Sequence, residues 1–236
     1  MTQSNRPIAI ITGASRGFGK AVTAALLARG WTVVADARRA DELKVTAQEL
    51  NSESLIVLPG DVTDASHRDA LVAAAIAAGT LHLLVNNASR LGPSPQPALA
   101  DYPAIELSAV YHTNVFAPLA LIQAALPALT DSEGVIVNVT SDAAAEPYPG
   151  WGGYGSSKAA LDQVSAILGV ETSAVTVYAF DPGDMRTEMH QAAFPGEDIS
   201  DRPEPEAVVP ALLRLLDSRP AAGRYRAADL LAGARP

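Results

Sequence analysis

No cysteine occurs in the 236 residues, which excludes disulfides, thiolate metal ligands and a thiol nucleophile. Histidine is nearly as scarce. His67, His82, His112 and His190 stand apart, with neither H-x-x-x-H nor H-E-x-x-H spacing, so no protein-held catalytic metal is expected. Positive charge is in short supply: 17 Lys and Arg face 26 Asp and Glu, a formal net charge of −9. A chain without clustered cations does not read as a nucleic-acid binder. Long apolar runs are also missing. The longest, residues 70–81, falls well short of the ~20 residues that span a bilayer. A glycine turn interrupts the N-terminal apolar run early, unlike a secretory signal. The expectation is a cytoplasmic protein that engages neither membrane nor nucleic acid.

What is present suffices for one core. At 48% hydrophobic residues, the length fits one domain spanning 1–236. Apolar runs of strand length at 8–12, 32–35, 55–59, 81–86, 135–140 and 175–180 are rich in Val, Ile and Leu, as strands buried on both faces should be. Between them, 18–28, 41–50, 65–78, 102–129 and 154–169 read as helices. This alternation predicts an α/β fold of three layers, a doubly wound parallel sheet with helices on both faces. The segment 102–129 is long for a globular helix, and a break is expected at Pro118 or after a preceding short helix. Proline-dense stretches at 93–97 and 203–210 read as loops, and the region of about 184–206 reads as a substrate lid.

The charge is unevenly spread. Residues 1–44 hold Arg6, Arg16, Lys20, Arg29, Arg38, Arg39 and Lys44 against Asp36, Asp41 and Glu42, a local net of +4. Such a patch is either an anion site or a set of solvated helix faces. The first strand runs into Thr12-Gly13-Ala14-Ser15-Arg16-Gly17-Phe18-Gly19, and a helix follows. Glycines at this turn let the backbone bend sharply and let a pyrophosphate reach the unpaired N–H groups of the helix start. With a second strand beginning at Thr32, the turn reads as a dinucleotide cradle of Rossmann type, contacting the cofactor through Gly13, Ser15, Arg16, Gly17, Phe18 and Gly19.

A second motif carries acid/base chemistry. Ser141 ends the fifth strand, and Tyr154-Gly155-Ser156-Ser157-Lys158 follows on a helix, placing Tyr154 and Lys158 one turn apart on one face. A free phenol has a pKa near 10. A neighbouring ammonium is expected to lower it and make Tyr154 a usable acid/base. Ser141, at the carboxyl end of a strand, is placed to hold a substrate oxygen.

Taken together, the G-x-x-x-G-x-G turn, Asn86-Asn87-Ala88, Ser141 and Tyr154-x-x-x-Lys158 make residues 6–190 resemble the short-chain dehydrogenase/reductase family. The resemblance implies a catalytic set of Asn114, Ser141, Tyr154 and Lys158. In it, the Asn114 carbonyl environment would hold a water linked to the lysine. It also implies cofactor contacts from Asp61, Val62, Asn87, Ala88, Pro182, Gly183 and Thr187, with Tyr154 and Lys158 touching the cofactor as well. Asp61 reads equally as a turn carboxylate capping the next helix. Counted from Gly30, the family's ribose position falls on Ala37 with Arg38 next, and strand alternation turns Asp36 away. Arg16 and Arg38, helped by Arg39, would then clamp a 2′-phosphate, which selects NADP(H) over NAD(H). Tyr148, Trp151, Met185 and Met189 are expected to line an apolar substrate pocket, though Met and Phe in such a segment could equally pin the lid.

The function so implied is reversible hydride transfer between the nicotinamide and a small carbonyl or secondary alcohol, a ketoreductase type of activity. The rival readings are an NAD-linked alcohol dehydrogenase working oxidatively and a cofactor-binding sensor or scaffold without turnover. The family also implies a homodimer or homotetramer. The sequence departs from the family pattern at Ser89, where Gly is usual, at Asp181, where Asn is frequent, in a shortened segment after Lys158, and at its C-terminal Gly223-Arg224-Tyr225-Arg226.

Overall fold

The structure, a computed structural model, describes residues 6–233. Seven strands form one sheet in the order β3-β2-β1-β4-β5-β6-β7. They are β1 (Ile8–Ile11), β2 (Thr32–Ala37), β3 (Leu55–Pro59), β4 (Leu81–Asn86), β5 (Val135–Val139), β6 (Thr176–Asp181) and β7 (Gly223–Arg226). Every neighbouring pair is parallel, and β1 is fully buried along its length. Burial on both faces explains the unbroken apolar sequence of the central strands. The chain winds outward from β1 in both directions, so the order reverses between β1 and β4. At that switch point a crevice opens beyond the carboxyl ends of the strands.

The helices are α1 (Gly17–Ala28), α2 (Ala40–Leu50), α3 (Ala65–Ala78), α4 (Ala104–Tyr111), α5 (Ala117–Asp131), α6 (Gly152–Glu171), α7 (Glu188–Ala193), α8 (Pro205–Ser218) and α9 (Ala227–Ala232). Alternation along the strands sends Ile11, Val33, Val85 and Val137 to one core, with α1 and α8. Ile8, Ile10, Val34, Leu84 and Ile136 go to the other, with α3 and α5. Three layers result, as the sequence predicts. Asp64 caps α3 by accepting the Ser66 N–H at 2.9 Å, so that helix starts where its sequence signal places it.

Three expectations need correction. The stretch 203–210 is not a loop: Pro205 opens α8, where its missing N–H is an orphan in any case. Pro210 sits on the solvent face of the same helix, opposite buried Val208, Val209, Leu212 and Leu215. The short strand β7 is new, an edge strand whose Gly-Arg-Tyr-Arg sequence carries no strand signal of its own. Of the two readings of the long helix, the structure shows the preceding short helix, α4, and no break at Pro118. The chain passes from α4 through a π turn, His112–Phe116, into α5, with Pro118 in the first turn of α5. Pro118 brings no N–H, so the Asn114 carbonyl four residues earlier lacks its ordinary helical donor. The 28-residue stretch Ala104–Asp131 has the length and apolar character to cross a membrane, and half of its most apolar window is buried against the rest of the fold.

Because α8 closes one core, Leu212→Ala should cost about 2–5 kcal/mol of unfolding free energy by urea denaturation. A loss under about 0.5 kcal/mol would contradict this packing.

Candidate active site

The glycine turn is held from three sides. Asp36, 1% exposed at the end of β2, accepts the Gly13 N–H on its carboxylate at 2.8 Å, and its main-chain carbonyl accepts the Ala14 N–H at 2.7 Å. Asn87 donates its side-chain amide to the Thr12 and Gly13 carbonyls at 2.9 and 3.1 Å. The Thr12 hydroxyl accepts the N–H groups of Asn87 and Ala88, both at 3.0 Å. Gly13 adopts φ +67°, and a Cβ there would lie 2.9 Å from the Ala88 Cα. A Cβ at Gly19 would collide with the Gly13 carbonyl. Only glycine leaves this turn its shape.

A cleft of about 1060 Å³ opens in front of it. Of the residues expected to contact the cofactor, Gly13, Ser15, Arg16, Gly17, Phe18, Arg38, Val62, Asn87, Ala88, Pro182, Gly183 and Thr187 line it, while Gly19 does not and backs the turn against the Gly13 carbonyl. Phe18 is also anchored in the core, its ring stacked on Phe180 at 5.8 Å. Asp61 is turned to its own loop, accepting the Thr63 N–H at 2.9 Å and its hydroxyl at 2.8 Å. Against the cost of burial, those two bonds and the nearby Arg38 hold its carboxyl below the usual range. Asp61 serves as a turn carboxylate, but it does not cap the next helix as one reading expects, because Asp64 does.

At the ribose end, Asp36 is committed. Its second oxygen lies 3.1 Å from His67 Nε2, and burial pushes its pKa up against the opposing His67 and Gly13 bonds. Asp36 itself lines the cleft, and Ala37, Arg38 and Arg39 line it beside that committed carboxylate. Arg16 pairs with Glu188 at the start of α7, and Arg39 pairs with Glu42. These are exposed ion pairs, worth at most about 1 kcal/mol each, so an incoming phosphate can displace the carboxylates. Glu42 and Glu188 carry no motif that would have marked them in the sequence.

The catalytic candidates gather at the other end. Ser141, Tyr154 and Lys158 line the same cleft, carried by the end of β5 and the first two turns of α6. Lys158 is 2% exposed, donates to the Val139 carbonyl at 2.8 Å, and lies 5.5 Å from the centre of the Tyr154 ring. Burial lowers its pKa to about 8, with Asp162 opposing. Tyr154 differs from expectation. Its phenol is raised above the ordinary value, chiefly by burial and further by the Asp181 and Asp142 carboxylates, while the Ser89 and Ser141 hydroxyls offset part of the rise. Desolvation is the largest effect, and the phenol stays protonated at neutral pH.

Asn114 sits in the π turn but spends its side chain on positioning. Its amide donates to the Arg90 carbonyl and to Ser157 Oγ, both at 2.9 Å, and its Oδ1 accepts the Arg90 N–H at 2.8 Å and the Ser89 hydroxyl at 3.2 Å. Trp151, Met185 and Met189 line the cleft, and Trp151 packs on Phe194 and Tyr154 at 5.8 Å each. Tyr148 does not line it. Its exposed ring packs edge-on to Trp151 and its hydroxyl donates to Asp142 at 3.1 Å. Ser89 and Leu91 also face the cleft; the departure at Ser89 was the one sequence signal for either.

A Rossmann-type crevice with a glycine cradle at one end and a Ser, Tyr and Lys set at the other defines a nucleotide-dependent oxidoreductase site. The profile of the short chain dehydrogenase family matches residues 7–198. Sepiapterin reductase of Xenopus laevis is 35% identical over 205 residues, covering 79% of this chain and 76% of that protein. Serine 3-dehydrogenase of Agrobacterium fabrum is 36% identical over 187 residues, covering 76% and 72%. Among solved structures, a Shigella flexneri protein described as a short chain dehydrogenase, complexed with NADP, superposes with a TM-score of 0.88 at 28% identity, covering 95% of this chain and 98% of that one. Alcohol dehydrogenase of Thermococcus sibiricus, complexed with 5-hydroxy-NADP, gives 0.84 at 26% identity over 94% and 96%. The chain belongs to the short-chain dehydrogenase family of oxidoreductases.

The buried lysine sets a pH test. Its folded pKa of about 8 lies below the usual 10.5, so between those values the unfolded chain binds more protons and stability rises with pH. The stability of the wild type relative to Lys158→Met should therefore increase from pH 8 to about pH 10.5, by on the order of 1–3 kcal/mol in urea denaturation. A difference that stays flat or moves the other way would contradict the burial of a charged Lys158.

Proposed function

We propose that this protein reduces a small carbonyl compound to the alcohol at the expense of NADPH, Tyr154 supplying the proton. The observation that carries this reading is the placement of Ser141, Tyr154 and Lys158 in the same cleft as the glycine cradle. The cradle fits a dinucleotide, since its floor is backbone that a Cβ at Gly13 would crowd. Asp36, bound to Gly13 and His67, is not free to accept from a ribose hydroxyl, and Arg16, Arg38 and Arg39 supply the cations a 2′-phosphate requires. The NADP and 5-hydroxy-NADP complexes of the structural neighbours agree with that choice.

NADPH, when bound, supplies hydride to the carbonyl carbon. The rest falls to the chain. Gly13, Ser15 and Gly17 present the cradle, while Pro182, Gly183 and Thr187 line the wall beside the reacting end. Tyr154, held protonated by its burial, gives its phenolic proton to the carbonyl oxygen as that oxygen gains negative charge. Ser141 turns its hydroxyl from Asp142, where it now donates at 2.9 Å, to the same oxygen. Lys158 stands beside the phenolate left behind and favours its charge. Trp151, Met185 and Met189 give the substrate an apolar wall, and the segment 184–206 serves as the lid over it.

NADPH consumption with a panel of ketones, aldehydes, quinones and 3-oxoacyl thioesters tests the reading. The wild type should reduce at least one of them. Tyr154→Phe should lose about 10²–10⁴-fold in turnover while still binding NADPH. A wild type that binds NADPH and reduces none would favour a cofactor-binding sensor, and near-normal turnover by Tyr154→Phe would remove the phenol from the mechanism.

A further inference from the structure

The last strand reaches the active site through one side chain. Pairing of β7 with β6 sets Arg224 beside Ala179, two residues before Asp181. From there its guanidinium meets three elements. Nε lies 3.0 Å from Asp162 Oδ2 on α6, while Nη2 lies 2.9 Å from Asp181 Oδ2 and donates to the Ser141 carbonyl at 3.0 Å. Each partner leads on to the cleft. Asp162 is one helical turn beyond Lys158 and is the charge that favours its ammonium. Asp181, 2% exposed, accepts the Gly183 N–H on its other oxygen at 3.0 Å, fixing the Pro182-Gly183 turn of the cleft wall, where Gly183 takes φ +73°. Ser141 carries the hydroxyl itself. A planar fork reaches the three acceptors from two nitrogens at fixed angles, whereas an ammonium would have to meet all three from one nitrogen.

We propose that Arg224 is a positioning residue for the reaction, tying the Ser141 backbone, the Asp181–Gly183 turn and Asp162 together so that the Ser141 hydroxyl and the cleft wall keep their register. The proposal rests on the reductase reading of the site. Two departures from the family pattern, Asp181 and the Gly-Arg-Tyr-Arg ending, thereby become one feature: the buried carboxylate and the cation that answers it. The other charged or titratable groups around this fork are Lys158 beside Asp162, and Asp142 and Tyr154 across the cleft from Asp181.

The test compares Arg224→Met and Arg224→Lys with the wild type by NADPH fluorescence titration, thermal unfolding and steady-state kinetics on a carbonyl the wild type reduces. Arg224→Met should bind NADPH with unchanged stoichiometry but about fivefold more weakly, and lose about tenfold in kcat with KM within about twofold. Arg224→Lys should recover only part of the kcat. In a Ser141→Ala background, Arg224→Met should cost little more in kcat, because that loss runs through the Ser141 hydroxyl, while the weaker NADPH binding, which runs through the cleft wall, should persist. If Arg224→Met does not fold, the charge-matched variant Arg224→Met with Asp181→Asn takes its place in every measurement. Unchanged NADPH affinity together with unchanged kcat overturns the proposal. So do kcat losses that multiply with Ser141→Ala. If the wild type reduces nothing, the reductase reading fails, and the NADPH affinity of Arg224→Met still decides whether Arg224 holds the cleft wall.

Discussion

The site depends on what Asp36 binds. A carboxylate buried at the end of β2 would be costly unless paired, and here the Gly13 N–H and His67 take both of its oxygens. Two consequences follow from that one arrangement. The glycine turn is pinned to the sheet from below, which leaves its upper side open for a pyrophosphate. The carboxylate that lines this end of the cleft is also committed on both oxygens, with Ala37, Arg38 and Arg39 beside it. A single buried interaction therefore holds the cradle's shape, and on the proposed reading it also underlies the cofactor preference, with the cations of residues 1–44 beside it.

At the other end, burial supplies the chemistry. Lys158 and Tyr154 are both shielded from water, and each is pushed toward its neutral form, the lysine down and the phenol up. Burial thus moves the two pKa values apart, which disfavours proton exchange between them and keeps the phenol protonated at neutral pH. The surrounding carboxylates Asp142, Asp162 and Asp181 tune this balance, and Arg224 anchors two of them. Charges are thus concentrated behind the reacting atoms in an otherwise apolar sheet, an arrangement that favours function over stability.

Much of this was legible because it is local in sequence. Six strands and the glycine turn follow from apolar runs, turn residues and their order, and β3, β4 and α3 have the bounds read from sequence. Tyr154 and Lys158 share a face by helical spacing alone. Other features were hidden for specific reasons. Proline in the first turn of α8 and on its solvent face disguised a helix whose apolar stripe is plain once Pro205 is read as a start. The edge strand β7 is four residues of mixed polarity that pair only because β6 offers an edge. The π turn, the fork of Arg224 and the rise in the Tyr154 pKa come from tertiary burial and from contacts far apart in sequence, and no local pattern reports them. Ser141, by contrast, was found because its strand ends where ligands bind in such sheets.

The most direct test of the account is calorimetric titration of the wild-type protein with NADPH and with NADH under the same conditions. With Asp36 committed to the glycine turn and arginines facing the ribose, NADPH should bind at least about tenfold more tightly, a difference of about 1.4 kcal/mol. Equal or tighter binding of NADH would contradict the central claim, since it would require a free hydroxyl acceptor where the structure places Ala37 and Arg38.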